Sequence, residues 1–548
     1  MTWPYAACGL VLLLAAGLQG RPAATDAHSQ PAGAPKLLVT LVVDQMRFDY
    51  IERYGKTWKG GLGRLVQEGA VFERTFYPYL NTVTCAGHAT IGTGTLPYRH
   101  GVILNEWYRR APQRRMSCTD DPRAASVPYA APAEPIGHSN NRLRMPTLGD
   151  RLRDASPASR VVVLSMKPRS AVMLAGRGGT AVTWFGDTNV WATSTAFATT
   201  PVDLVQQFVT SNPVDRERRD VWDRLHAEGD YIGTDISAFE RPRTGWTSSF
   251  PHPLSGTPGT PADRFFDFWE RSPYSDAYLG RMAAALARDY QLGQRDAVDH
   301  LALSFSALDY VGHDFGPASH EVQDTLFRLD RTLATLFAAL DATVGRERYA
   351  VAVSADHGVS AIPESLQNAG GDAGRVLSAA VQKTAEAAMT AAHGPGPHVA
   401  HVEYSNVYLT DQARQRARTD HTFVQPLLTA VAGMPGVLRV FPAHDLESKR
   451  ESADPIERAA ALSHHPEESG EVVVVLWRNW IGTNSSAATH GSGHWYDQHV
   501  PLILLGPWFK AGRYTTPASP ADLAPTLAAL IDLPMPDVDG RVLSGALR

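Results

Sequence analysis

Six residues of this chain are of types that bind transition-metal dications: Asp44, Asp309, His313, Asp356, His357 and His490. The first five each fall at or just after the carboxyl end of a predicted strand, and His490 lies in a loop beyond another. That edge of an open α/β sheet is where ligands collect. Any one of the six fits an ordinary cap or turn. Together, three aspartates and three histidines form an oxygen and nitrogen ligand set for two zinc ions, held at about 2.0–2.2 Å. Thiolate ligation is excluded by scarcity: besides Cys8 in the N-terminal apolar run, the chain has only Cys85 and Cys118. These two could form one disulfide, but the sequence does not give their distance.

A nucleophile for such a centre is offered by Asn81-Thr82-Val83-Thr84-Cys85-Ala86-Gly87-His88. The stretch reads as an extended approach, a sharp glycine-bearing turn and the start of a helix. A hydroxyl there faces free N–H groups and the positive end of the helix dipole. On residue type alone Thr82, Thr84 and Cys85 all qualify. No His–Asp relay is evident beside them, and metal coordination would replace that general base. Two Zn²⁺ against three aspartates leave one positive charge, which a deprotonated threonine neutralises. Lys167 and Arg169, on either side of Pro168 at the end of another predicted strand, would then supply positive charge for a phosphate dianion. Asn105 is a further polar candidate, although alone it reads as a turn residue.

Positioning these groups takes alternating strands and helices. Residues 36–43, 160–166, 300–308 and 349–354 are apolar, β-branched runs suited to strands buried on both faces of a parallel sheet. Between the last two, Val322, Leu326, Leu329, Leu333, Leu336, Phe337 and Leu340 form a helical stripe, which makes a βαβ unit. Further helices are expected near 61–68, 145–155, 264–270, 275–292 and 522–533. Residues 178–261, rich in Trp, Thr, Gly and Pro, are expected to form a cap insertion over the site that carries Trp184, Phe185 and Trp191. Residues 363–470 are expected to form an α/β subdomain, with a separate strand at 472–476.

Composition fits a globular protein of 548 residues, 44% hydrophobic and 20% charged, with net charge -5. Basic runs do not exceed arginine pairs, which argues against a nucleic-acid partner. Residues 6–18 form an apolar run followed by Gly20, Pro22, Ala23 and Ala24. This predicts a secretory signal over residues 1–25 and a periplasmic or secreted mature chain without a membrane span.

Several motifs carry a resemblance: Val-Val-Asp44-Gln-Met-Arg, Asn-Thr-Val-Thr84-Cys-Ala-Gly-His-Ala-Thr, Asp309-Tyr-Val-Gly-His313, Ala-Asp356-His357-Gly and Thr-His490-Gly-Ser. The ending Asp522-Leu-Ala-Pro-Thr-Leu with Asp539-Gly540 belongs with them. From residue 36 onward the chain resembles the alkaline phosphatase superfamily. Within it, the likeness is to the type I phosphodiesterase/nucleotide pyrophosphatase-like branch, and there to the phosphate-irrepressible alkaline phosphatases. The resemblance implies a three-layer α/β catalytic domain over 36–548, with a largely parallel central sheet, helices on both faces and inserted caps. It selects Thr84 as nucleophile. It places Asp309, His313 and His490 on one zinc, and Asp44, Asp356, His357 and the Thr84 oxygen on the other. His494 and His499 lie near enough to rival His490. Asn105, Lys167 and Arg169 match the substrate-binding residues of the monoesterases, and the diesterases it resembles lack that Lys/Arg pair. The implied substrates are small phosphate monoesters, hydrolysed by a monomer through a phosphothreonine intermediate. A phosphodiesterase on the same metals is the alternative. A formylglycine sulfatase is excluded, because Ala86 and Gly87 follow Cys85 where that motif needs a proline two residues on. A metal-binding protein without turnover remains as a reading from another class.

Overall fold

The computed structural model describes residues 33–548 apart from 131 and 187; the expected signal over 1–25 lies outside the described residues. The apolar run at 36–43 forms strand β1 (Leu37–Val43), every residue of which is buried. Successive side chains of a strand point to opposite faces, so burial throughout means that both faces of the sheet are covered. The other strands of the same sheet are β2 (Ala70–Phe72), β3 (Ser126–Pro128), β4 (Val161–Ser165), β5 (Ala181–Phe185), β6 (Trp191–Ser194), β7 (Asp299–Phe305), β8 (Tyr349–Ser354), β9 (Leu502–Leu505) and β10 (Gly512–Tyr514). They lie in the order β10-β2-β9-β8-β1-β7-β4-β5-β6-β3. The central five, β8-β1-β7-β4-β5, run parallel. In register, Val42 of β1 faces Ser304 of β7 and Ser354 of β8. The three strands therefore end level, and the residues after them emerge along one edge.

The helical stripe between β7 and β8 is the helix His320–Thr343. Ser319 caps it, and all seven stripe residues are buried. It packs against the helices Pro273–Asp289 and Gly61–Glu68. Three shorter helices bear on the site: α1 (Thr84–Thr93), α2 (Pro168–Ala175) and α3 (Ala307–Phe315).

The structure corrects four expectations. Residues 181–185 and 191–194 are β5 and β6 of the main sheet, with Trp184, Phe185 and Trp191 buried in the core. The 178–261 segment is thus not wholly a cap: its aromatic content marked core strands with short connections. The strand expected to reach 308 stops at Phe305, and Asp309 and His313 sit one turn apart on α3. Pro168 does more than stop a strand, because it occupies the first turn of α2, where its missing N–H costs nothing. Finally, Val472–Leu476 is an inner strand of the four-stranded antiparallel sheet that also contains Val399–Glu403, Asn406–Leu409 and Val437–Pro442. The subdomain therefore extends past 470. A run of four valines announces a buried strand but not the sheet it joins.

Candidate active site

The candidate ligands gather at the level edge, from the loops after strands and from α3. Asp44 directly follows β1, and its N–H donates to Phe305 O at 2.9 Å. Gln45 then turns the chain with φ 68°, in the left-handed region. From there its backbone N–H reaches Asp356 Oδ1 at 3.1 Å and its side-chain amide reaches Asp309 Oδ1 at 2.6 Å. Asp356 and His357 follow β8, and Lys167 follows β4 as the residue before α2. Thr84 opens α1 after an extended Val83. The expected glycine-bearing turn is absent there, because Gly87 lies inside α1. Its role is close approach: a Cβ on Gly87 would lie 2.2 Å from Asp356 O.

The six residues converge as two groups, Asp309–His313–His490 and Asp44–Asp356–His357, the ligand atoms within each lying within 4.8 Å of one another. His313 Nε2 is 3.2 Å and His490 Nε2 is 3.6 Å from Asp309 Oδ1. His357 Nε2 is 3.5 Å from Asp44 Oδ1 and 3.4 Å from Asp356 Oδ2. In all three histidines Nδ1 bonds a backbone carbonyl: Ala488 O at 2.8 Å for His313, Thr82 O at 2.9 Å for His490 and Gly358 O at 3.0 Å for His357. A carbonyl only accepts, so Nδ1 carries a proton and Nε2 is the ring atom turned to the centre. The Thr84 hydroxyl is 3.4 Å from His357 Nε2.

Electrostatically the cluster is poised for cations. Burial, then Asp309 and Asp356, push the Asp44 carboxyl well above its usual range. Burial opposes ionisation of Asp309, but Lys167 and His313 hold it well below. Burial also keeps His357 and His490 low, and hence neutral. Lys167 Nζ bridges the groups, 2.6 Å from Asp44 Oδ2 and 2.5 Å from Asp309 Oδ2. The buried Asp44 Oδ1 has no hydrogen-bond partner. Such a donor set fits metal dications.

Asn105 is half-buried beside Thr84. Its Oδ1 accepts from the Cys85 N–H at 2.8 Å, which leaves its amide N–H groups as the free donors. A Cys85–Cys118 disulfide ties the start of α1 to this segment, where Cys118 N–H also donates to Asn105 O. The Lys167 ammonium lies 4.7 Å from the Tyr310 ring centre. Arg169, on the first turn of α2, is close enough for its charge to act on Lys167, Tyr310 and Tyr404. His494 and His499 do not join the cluster; their Nε2 atoms bond Leu476 O and Glu73 O.

Two supporting residues escaped the sequence reading. Gln45 links the two groups, as described. His88 stands one turn after Thr84, with Nδ1 2.8 Å from Thr84 O and 3.2 Å from Asp356 Oδ2, and Nε2 2.8 Å from Ser304 Oγ. Its i+4 spacing from Thr84 on a helix was the available signal.

With this geometry in place, the comparisons with known proteins are specific. The signature of the type I phosphodiesterase/nucleotide pyrophosphatase family matches residues 38–492, and the chain belongs to that family. Alkaline phosphatase PhoV of Synechococcus elongatus is 30% identical over 95% of this chain and 94% of its own. Alkaline phosphatase PafA of Elizabethkingia meningoseptica is 29% identical over 92% of both chains. The crystal structure of wild-type PafA superposes with a TM-score of 0.86 at 28% identity, covering 94% of this chain and all of that one. The architecture is that of these alkaline phosphatases, a large mixed and mostly parallel sheet with its helices.

Proposed function

We propose that this protein is an exported alkaline phosphatase that uses two zinc ions and a phosphothreonine intermediate to hydrolyse phosphate monoesters. Hydrolysis of monoesters accords with full-length alkaline phosphatase relatives at about the 30% identity level. The observation that carries the reading is the Thr84 hydroxyl beside two buried Asp/His groups bridged by Lys167. When bound, zinc ions on those groups would lower the pKa of a coordinated hydroxyl and offset charge on the attacking and leaving oxygens.

The chain's own residues then have separable tasks. Thr84 Oγ1 gives up its proton to solvent, attacks phosphorus in line and forms the P–O bond. The bond to the ester oxygen breaks, and that oxygen leaves with the electron pair and takes a proton from solvent. Water then attacks phosphorus from the vacated side, the P–Oγ1 bond breaks, and Thr84 and phosphate are released. Asn105 amide N–H groups, Lys167 and Arg169 hold the non-bridging oxygens. A monoester presents three such oxygens carrying a dianion, and charge-assisted donors on them favour it over a diester. A solved PafA variant replaces a threonine, an asparagine, a lysine and an arginine together. The same four types recur here at the same spacing as Thr84, Asn105, Lys167 and Arg169. The apolar run before residue 25 supports export.

Thr84→Ala should abolish turnover of p-nitrophenyl phosphate while metal analysis still finds two zinc ions per chain. Activity like the wild type in that variant refutes the role of Thr84. A wild-type kcat/KM higher for bis-p-nitrophenyl phosphate than for the monoester refutes the monoester reading.

A further inference from the structure

Tyr404 is a bulky residue in a conformation bulky residues avoid. It sits in the turn between the antiparallel strands Val399–Glu403 and Asn406–Leu409 with φ 49°. Left-handed backbone at a tyrosine costs of order 1 kcal/mol or more and persists where the surroundings or a function hold it. Burial repays this only in part, since 39% of the residue stays exposed.

Three neighbours locate the ring. A Cβ built on Gly491, the residue after His490, would lie 3.0 Å from Tyr404 Cε1 and 3.3 Å from Val83 Cγ1. The ring therefore packs on backbone next to one candidate metal ligand and next to the residue preceding Thr84. Gly491 itself has φ 106°, so two independent constraints keep a side chain away from this spot. The charges of Arg169 and Asp309 both act on the phenol. Tyr404 also lines a cleft with His490, Gly491 and Ser492. In-line displacement puts the ester's organic group on the side of phosphorus away from Thr84. An ester whose leaving oxygen meets the Asp309–His313–His490 group would have its organic group in the cleft that His490 shares with Tyr404.

We propose that Tyr404 and the Gly491 backbone form the subsite for the organic group of the substrate, a flat platform that favours aromatic over small alkyl phosphate monoesters. The inference rests on the monoester reading and adds a substrate class to it. Stacking between an aromatic ester and the tyrosine face supplies the preference, and the glycine leaves room for the ring edge. Desolvation and Glu403 push the phenol up to about 12 against the pull of Arg169, so it stays protonated and acts as a surface, not as a base.

The test compares phenyl phosphate with methyl phosphate on the zinc-loaded enzyme, each variant being read as a ratio to wild type for the same substrate. Tyr404→Asn removes the ring with a residue that tolerates left-handed backbone, which separates the ring from the turn. It should lower kcat/KM for phenyl phosphate by ~3–10-fold, the range of an aromatic pair. It should leave methyl phosphate and the inhibition constant of inorganic phosphate within about twofold. Tyr404→Phe should behave as wild type. Equal losses on both esters, a weakened phosphate inhibition constant, or an unchanged phenyl phosphate rate in Tyr404→Asn would overturn the subsite. Failure of the monoester reading would show separately, as a wild-type preference for the bis-ester.

Discussion

Gly87→Ala tests whether the spacing of α1 against β8 sets the reactive geometry. The added Cβ would lie 2.2 Å from Asp356 O, 2.6 Å from Asp356 Cβ and 2.7 Å from Asp356 Cα. Carbon atoms make ordinary contact at about 3.5–4.0 Å, so helix and strand end must separate by roughly 1 Å. The nearest atoms are Asp356 backbone and Cβ, so no flexible side-chain end can swing aside. Overpacking of this kind costs about 1–3 kcal/mol of stability. The kinetic cost should be larger, because Thr84 rides on α1 and Asp356 holds one ligand group. A misplacement of about 1 Å between reacting groups costs ~10²-fold. We therefore expect kcat/KM for p-nitrophenyl phosphate to fall ~10²-fold with a lowered unfolding midpoint. Gly229→Ala, where no atom lies within 4 Å of the added Cβ, is the control and should change neither. A Gly87→Ala enzyme with full kcat/KM and an unshifted midpoint would refute the close-approach argument.

Lys167→Ala and Arg169→Ala should each cost ~10²–10³-fold on monoesters and much less on diesters, measured as kcat/KM for p-nitrophenyl phosphate and its bis-ester. Equal losses on both would make the pair structural. Asn105→Asp places a carboxylate where a phosphoryl oxygen is to be held, so the phosphate inhibition constant should rise at least ~10-fold at alkaline pH. Burial lifts Asp276 to about 7, while its Oδ1 accepts from the Ser306 and Ala307 N–H groups at the start of α3. The native state thus retains a proton that the unfolded chain loses near pH 4, and this group's contribution to stability falls as pH rises from about 4 to 7. Asp276→Asn keeps the acceptor and should flatten that fall, raising stability above pH 7 by an amount on the order of a few kcal/mol, read from unfolding midpoints across pH.

The central strands were legible because burial on both faces leaves a simple mark, an unbroken β-branched run. Asp44, Asp356 and His357 came with them, each being within three residues of a strand end. Asp309 and His313 were found by type and motif, but their setting was misread. Ser306 ends the strand early, and the two ligands use the i, i+4 spacing of α3 instead. Gly87 was read as a turn because glycine breaks helices locally, whereas here a tertiary contact decided its identity. Trp184 and Trp191 misled for the opposite reason: weak periodicity and nearby glycines hid two short strands that pair with each other. Tyr404 left no sequence signal, because its significance lies in a backbone angle and a neighbour 87 positions away.

The two ligand groups are also one mechanical unit, and this bears on how they bind metal. Gly358 N–H donates to Asp497 O, Val359 N–H to Tyr496 O and Ser360 N–H to Thr489 O, at 2.8, 3.0 and 2.9 Å. The loop after β8, which carries His357, is therefore laced to the loop that carries His490. Asp497 Oδ2 in turn accepts from Ser492 N–H and Oγ. Gln45 adds a second tie, with a backbone bond to Asp356 and side-chain amide bonds to Asp309 O and Oδ1. Ordering either group then orders part of the other in advance, and the second ion meets a site whose conformational cost is already met. Binding of the two ions should be positively coupled. In the Gln45→Ala variant that coupling should weaken while all six ligands remain in place. Titration of metal-stripped enzyme with zinc, read as heat and as recovered activity, would show no change in coupling between wild type and Gln45→Ala if the ties do not matter.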